Sequence, residues 1–167
     1  MLALHPWHDD PLHTGDFAHV DGKGKFWHYG ANHTADCIIL SDEPEPCVVL
    51  ITRHDNGLLA LPGGFVDLGE TAITAAVREA REEIGIVLDE SQATEVYDGP
   101  VADHRATHHA WPHTTAFRFV VSHTVTLTPG DDATDVNWYT PRTLSRHMCH
   151  GSHFSLIAAA LGTCYTV

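Results

Sequence analysis

Short apolar runs dominate the first part of this chain, and a single long helical repeat follows them. Residues 36–40 and 47–52 are continuous and rich in β-branched side chains, which predicts two strands. The polar, proline-bearing stretch 41–46 between them predicts a hairpin. Residues 58–61 carry the sheet into Gly63 and Gly64, where a backbone bends sharply or approaches a ligand closely. From about residue 71 to 84, Ile73, Ala76, Val77, Ala80 and Ile84 recur at three- and four-residue steps. That is the apolar stripe of one amphipathic helix, which Gly85 closes in a C-cap position. Further strands are predicted at 94–97, 114–121 and 136–139, and a last helix at 154–161 with Ser152 as its N-cap.

These elements make a mixed α/β layer structure. With 167 residues, no internal repeat and no linker-like stretch, the chain is expected to be one domain spanning 1–167. Residues 1–20, rich in Pro and His and without period, are expected to be either a flexible arm or a segment docked on the domain. No apolar run reaches the ~18 residues of a membrane span, and no basic-then-apolar leader opens the chain. The expected location is the cytoplasm, with no membrane partner. Cys37, Cys47, Cys149 and Cys164 form no C-x-x-C pair and are expected to be buried thiols. A formal charge of -13 argues against a nucleic-acid partner.

The chemistry lies on the polar side of the long helix. At ~100° per residue, Glu79, Glu82 and Glu83 fall within about 100° of one another, on a different face from the stripe. Like charges so placed disfavour an isolated helix, and a bound cation removes that penalty. Arg78 offsets part of it through Glu82, four residues on. Hard oxygen donors without cysteine or histidine select Mg²⁺, with Mn²⁺ as a substitute. A solvated acidic face is the common alternative for such a run; the glycines before it and the cap after it argue for a preorganised metal site.

The segment from Gly64 to Ile86, GFVDLGETAITAAVREAREEIGI, resembles the Nudix hydrolase box G-x5-E-x7-R-E-U-x-E-E-x-G-U, where U is a bulky aliphatic. Ala80, at the first U, is smaller than the pattern prefers. The resemblance implies the Nudix fold, a mixed β-sheet sandwiched between helices in an α/β/α arrangement. It implies Glu79 and Glu83 as principal metal ligands, Glu82 as a second-ion ligand or water orienter, and Glu70 as a supporting carboxylate. A backbone carbonyl at Gly63 or Gly64 is the implied non-side-chain ligand. The implied reaction is attack of a metal-activated water on a diphosphate linked to another group. Asp103, Asp131 and Asp132, with His104 as a titratable neighbour, are candidate bases outside the box; Glu82 itself is the alternative.

Three smaller motifs point to the substrate. The run from Tyr29 to Asp36, before the first strand, resembles the G-P-N-H-x-A-D segment of the ADP-ribose pyrophosphatases related to the human mitochondrial enzyme. That family includes the Nudix-like domain of a melastatin-type cation channel. Asp103-His104-Arg105-Ala106-Thr107 with Ala110-Trp111 is similar to D-P-R-N-T-x-N-A-W, and Gly130-Asp131-Asp132-Ala133 with Val136 and Trp138 to G-D-D-A-x-x-V-x-W. The implied substrate is ADP-ribose, contacted by Asp103 and Arg105: a guanidinium forks onto phosphate oxygens and a carboxylate accepts from ribose hydroxyls. Either Trp111 packs behind the loop, or an aromatic nearby, such as Phe17, Phe26 or Trp27, stacks on adenine; core packing is the more frequent fate of a Trp.

The match has two departures. His104 replaces a proline, and His147-Met148-Cys149-His150 replaces an aromatic-Ala-Ser/Asn-His segment that touches the nucleoside, leaving His150 as the matching residue. A broader nucleoside-diphosphate-X or (d)NTP pyrophosphohydrolase is the alternative enzyme, and a non-catalytic ADP-ribose sensor the alternative of another class. The implied partner is a small nucleotide, acted on by a monomer or homodimer.

Fifteen histidines complete the picture. His104, His108, His109 and His113 form one group; His147, His150 and His153 form another, with spacing that suits one side of a helix. No Cys or carboxylate completes either at ligand spacing, so both are expected to be surface histidines.

Overall fold

The computed structural model describes residues 2–9, 21–130 and 133–162. Seven strands form one mixed sheet: β1 (Gly30–Ser41), β2 (Val48–Arg53), β3 (Leu59–Ala60), β4 (Gly63–Phe65), β5 (Thr94–Pro100), β6 (Ala110–Val121) and β7 (Ala133–Tyr139). The main path runs β3-β2-β1-β6-β5, with β4 added to β1 and β7 to β2. All pairs are antiparallel except β1 with β6, which run parallel from Gly30↔Ala110 to Ser41↔Val121.

Helix α1 (Ala72–Ile84) covers one face and α2 (His153–Ala160) the other, giving the expected α/β/α layers. Alternation along β1 and β2 makes this possible. Cys37, Ile39, Val49 and Ile51 pack with Ala76, Ala80 and Ile84 of α1, whereas Ile38, Leu40, Val48 and Leu50 pack with Leu156, Ile157 and Ala160 of α2. A strand buried on both faces reads as a continuous apolar run rather than an alternating one.

The N-cap of α1 is Thr71, whose hydroxyl accepts from the Thr74 N–H at 3.2 Å; Gly85 ends the helix at φ 73°. The buried stripe is Ala75, Ala76, Ala80 and Ile84, with Ile73 and Val77 at its margins. Small residues let α1 sit close to β1, where the Cys37 thiol donates to the Ala76 carbonyl at 3.1 Å.

Several expectations are corrected. The run from Tyr29 to Asp36 does not precede the first strand: β1 begins at Gly30, pairing with β6 from its first residue and with β4 from Thr34 to Asp36. The glycine turn includes a short strand, because Gly63 and Gly64 pair with Asp36 and Ala35. Ser152 sits at the N-cap position of α2 but makes no capping bond; its hydroxyl accepts from the Ala102 N–H at 2.9 Å. The His147, His150 and His153 group does not share a helix, since His147 lies in a 3-10 turn and His153 opens α2. Cys37 and Cys149 are buried free thiols, Cys47 is half-buried, and Cys164 lies outside the described residues. Of the amino-terminal stretch, residues 2–9 are described, and His5 is buried against Trp7 and Trp111. Among the described residues, no helix is long and apolar enough to cross a membrane.

Candidate active site

A cleft of about 840 Å³ opens over β4 and the exposed side of α1. Gly63, Gly64, Arg78, Glu79 and Glu83 line its floor, and Asp103, Arg105 and His150 line its wall. The box and the downstream loop are thus brought together. Glu70 and Glu82 lie outside that lining and act through Arg78; His104 borders an adjoining hollow instead. Asp131, Asp132 and Phe17 lie outside the described residues.

The glycines explain how the floor closes. A β-carbon on Gly64 would stand 2.4 Å from a Glu79 carboxylate oxygen, so that carboxylate rests directly on the backbone of β4. On Gly63 it would stand 2.4 Å from the Ala35 carbonyl oxygen of β1. The Gly63 N–H donates to Glu83 Oε2 at 2.9 Å, which fixes the second carboxylate from the strand side.

Arg78 is the organiser of the box. Its guanidinium donates to both Glu70 oxygens at 3.0 Å, to Glu79 at 2.7 Å, to Glu82 at 3.1 Å and to the Phe65 carbonyl at 3.1 Å. The Glu70 pair is a fork, the strongest geometry for a guanidinium. Arg78 holds the Glu70 carboxyl below its usual range. Burial pushes Glu79 upward, against the opposing pull of Arg78. Two carboxylates facing a polar cleft beside a close backbone form a hard-oxygen donor set that suits Mg²⁺ or Mn²⁺.

On the opposite wall, Asp103 is buried and accepts from the Arg105 backbone N–H at 2.8 Å and from its Nε at 2.9 Å. Burial raises the Asp103 pKa, but the Arg105 bonds outweigh it and leave the carboxyl below its normal range. Arg105 lies over the Phe26 ring, 5.8 Å from its centre, and Phe26 and Trp111 belong to a small core cluster behind the loop. Trp27 is 66% exposed at the rim and stacks on Phe65 with ring centres 5.3 Å apart.

The sequence reading missed Asp36, Arg53, Asp55 and His153, all of which line the cleft. Burial pushes Asp36 up to about 6, with the Thr114 hydroxyl bond opposing. Arg53 forks onto Asp55 at 2.9 Å through two nitrogens. His153 Nδ1 accepts from the Leu61 N–H at 2.7 Å, so the neutral ring carries its proton on Nε2. Burial lowers both His150 and His153 to about 4, leaving the pair uncharged at neutral pH. The Asp of N-H-T-A-D is the one sequence signal for Asp36, and no local pattern distinguishes His153 from a surface histidine. The other group does not gather into a metal site either. His113 faces His33 and Asp98, and His108 meets His8 edge-on.

A mixed sheet between two helices, with an acidic helix and a glycine strand meeting in a polar cleft, is the architecture of a Nudix domain. The chain belongs to the NUDIX domain family, whose model matches residues 31–159. It is 37% identical over 158 residues to the Caenorhabditis elegans protein called nudix hydrolase 6, covering 86% of this chain and 61% of that one. It is 31% identical over 154 residues to the mitochondrial ADP-ribose pyrophosphatase of Rattus norvegicus, covering 70% of this chain and 44% of that one. The chain therefore spans less than two thirds of either relative. The fold is shared with the NUDIX domain of Shewanella oneidensis NrtR solved with ADP ribose: TM-score 0.67 at 21% identity, over 80% of this chain and 88% of that one.

Proposed function

We propose that this Nudix hydrolase cleaves the diphosphate of ADP-ribose, giving AMP and ribose 5-phosphate, with Mg²⁺ or Mn²⁺ held by Glu79, Glu83 and the Gly64 carbonyl. The supporting observation is the shared cleft, in which the box carboxylates face Asp103, Arg105 and His150. The rat pyrophosphatase and the ADP-ribose-bound NrtR domain support the choice of nucleotide. The intact set of Glu70, Glu79, Glu82 and Glu83 favours turnover over sensing alone.

The bound cation supplies charge neutralisation on the diphosphate and a more acidic water. The protein does the rest. Arg78 keeps Glu79 aimed at the cleft, and the Gly63 N–H keeps Glu83 there. A cleft-facing box carboxylate takes the proton of the attacking water as the new P–O bond forms. The bridging P–O bond breaks and the second phosphate leaves. Arg105, already oriented by Asp103, presents its remaining N–H groups to phosphate oxygens, and Trp27 on Phe65 offers a flat, rigid surface to adenine. Neutral His150 and His153 add donors without repelling a cation. Because His147-Met148-Cys149 departs from the expected nucleoside-contacting segment and only His150 matches it, a broader nucleoside-diphosphate-X hydrolase is the second reading.

The test is product analysis on ADP-ribose, NADH, diadenosine polyphosphates and dNTPs with Mg²⁺ or Mn²⁺, against an EDTA control. Metal-dependent release of AMP from ADP-ribose, with kcat/KM above the other substrates, is expected. Preference for another nucleotide refutes the substrate assignment, and tight ADP-ribose binding without turnover refutes the enzymatic one.

A further inference from the structure

Far from the cleft, three donors of different chemistry converge. Glu43 and Cys47 stand on the β1–β2 turn and His123 just after β6, with ligand atoms all within 4.8 Å of one another. Among the described residues this is the group that meets metal-ligand spacing. It lies at the far end of β1 from Gly63 and Gly64, which pair with Asp36 and Ala35. Five residues of strand put roughly 17 Å between them.

We propose that Glu43, Cys47 and His123 bind one zinc-class divalent cation through a carboxylate oxygen, the thiolate and the imidazole Nδ1, leaving a fourth tetrahedral position to water.

The donor set matches the chemistry. Sulfur and nitrogen select a softer ion than the all-oxygen box, and Cys, His and Glu are the three ligand types found around Zn²⁺. The frame is also built. His123 Nδ1 already faces Glu43 at 3.1 Å, and Trp138 meets the His123 ring edge-on at 4.8 Å, which sets its plane. Ser41 links the other two: its hydroxyl accepts from the Cys47 N–H at 2.8 Å and donates to Glu43 Oε2 at 3.3 Å. Such outer bonds orient ligands and tune affinity. The backbone bond from Asp42 N–H to the Val121 carbonyl, 3.0 Å, ties the two turns together before any ion binds. Glu43 and His123 retain 46% and 37% side-chain exposure, so an ion has a route in.

Binding exchanges the Glu43–His123 hydrogen bond for two metal bonds and releases the thiol proton of Cys47 to solvent. The result is a staple across two connections far apart in sequence. The histidine groupings by sequence could not show it, because His123 belongs to neither of them.

Co²⁺ titration of the untagged, reduced protein tests this. A thiolate-to-cobalt charge-transfer band is expected, saturating at one equivalent and displaced by Zn²⁺. Histidine-only sites give no such band, so the many other imidazoles do not interfere. Cys47→Ser should abolish the band while keeping the wild-type circular dichroism and hydrolase activity, and Ser41→Ala should weaken Co²⁺ binding by about 10- to 100-fold. Zn²⁺ should raise the Tm of the wild type more than that of His123→Asn, in which the box carboxylates remain. Absence of the band, its persistence in Cys47→Ser, or an equal Zn²⁺ shift in His123→Asn overturns the proposal. If Cys47→Ser fails to fold, Glu43→Gln and His123→Asn decide it by the same band.

Discussion

Gly63 and Gly64 are neighbours, yet their replacement by alanine should fail in different ways. Neither has a positive φ, so only the space around the new methyl group matters. At Gly64 the methyl would lie 2.4 Å from Glu79 Oε1 and 2.6 Å from its Cδ, the end of a side chain that can move. Restoring an ordinary contact of about 3.5 Å shifts the carboxylate by about 1 Å. A displacement of that size at a catalytic group costs about a hundredfold in rate, or roughly 2.7 kcal/mol. At Gly63 the methyl would lie 2.4 Å from the Ala35 oxygen and 2.9 Å from the Asp36 Cα, both β1 backbone. There the strand pair itself must separate, at an overpacking cost of about 1–3 kcal/mol. The expected Tm loss for Gly63→Ala is roughly 2–12 °C. Steady-state kinetics and thermal melts of the two variants give the comparison. Gly64→Ala should melt near the wild type with kcat/KM about a hundredfold down, and shortening the ligand in Gly64→Ala/Glu79→Asp should recover part of it. Equal activity of Gly64→Ala and wild type, or a lower Tm for Gly64→Ala than for Gly63→Ala, would refute the reasoning.

Glu83→Gln keeps an oxygen for the Gly63 N–H but loses the charge, so its melt should be unchanged while kcat falls at least about a hundredfold; near-normal kcat would remove Glu83 from the metal site. Arg78→Ala strands Glu70 and Glu79, whose side chains are only 12% and 15% exposed; partial solvent access brings the usual cost of breaking a buried pair down to about 2–4 kcal/mol, readable by urea denaturation. Arg78→Lys should recover little of it, since an ammonium cannot fork across four partners. Acid should destabilise the fold through His150 and His153. Their pKa values drop from 6.5 unfolded to about 4 folded, so the unfolded chain binds more protons and stability falls from pH 6.5 to 4. Asp36, raised to about 6, acts in the opposite direction over part of that window and offsets part of the loss. His153→Asn, which keeps an acceptor for the Leu61 N–H, should flatten the profile; an unchanged slope would show that the ring is not shielded.

The box helix was legible because its signals are local: a stripe at helical spacing and Gly85 to end it. Strands buried on both faces were legible for a related reason, as unbroken apolar runs at 36–40 and 47–52. What escaped depends on distant partners. Asn32, His33 and Thr34 look like loop residues until β6 pairs with all three and β4 with Thr34. Arg53 and Asp55 give no sign of lining a cleft whose floor is formed by residues 63–83. His153 could not be told from a surface histidine without Leu61 beside it. In each case the deciding contact lies on another segment, where periodicity carries no information.

The parallel pairing of β1 with β6 holds a constant separation of 80 residues, and everything that makes the cleft floor falls inside the span it closes. Closing so long a span is entropically costly before any contact rewards it, which places this step late and slow in folding. During synthesis the acidic helix therefore emerges well before the strand that completes its platform. Until β6 docks, the sheet behind the glutamates lacks Phe117 and Phe119, and the 103–105 loop has no strand to hold it across the cleft. A fragment ending after the box would carry the whole box but neither β6 nor the 103–105 wall of the cleft, so the sites that matter for the cleft's assembly include residues in β6 that do not line it.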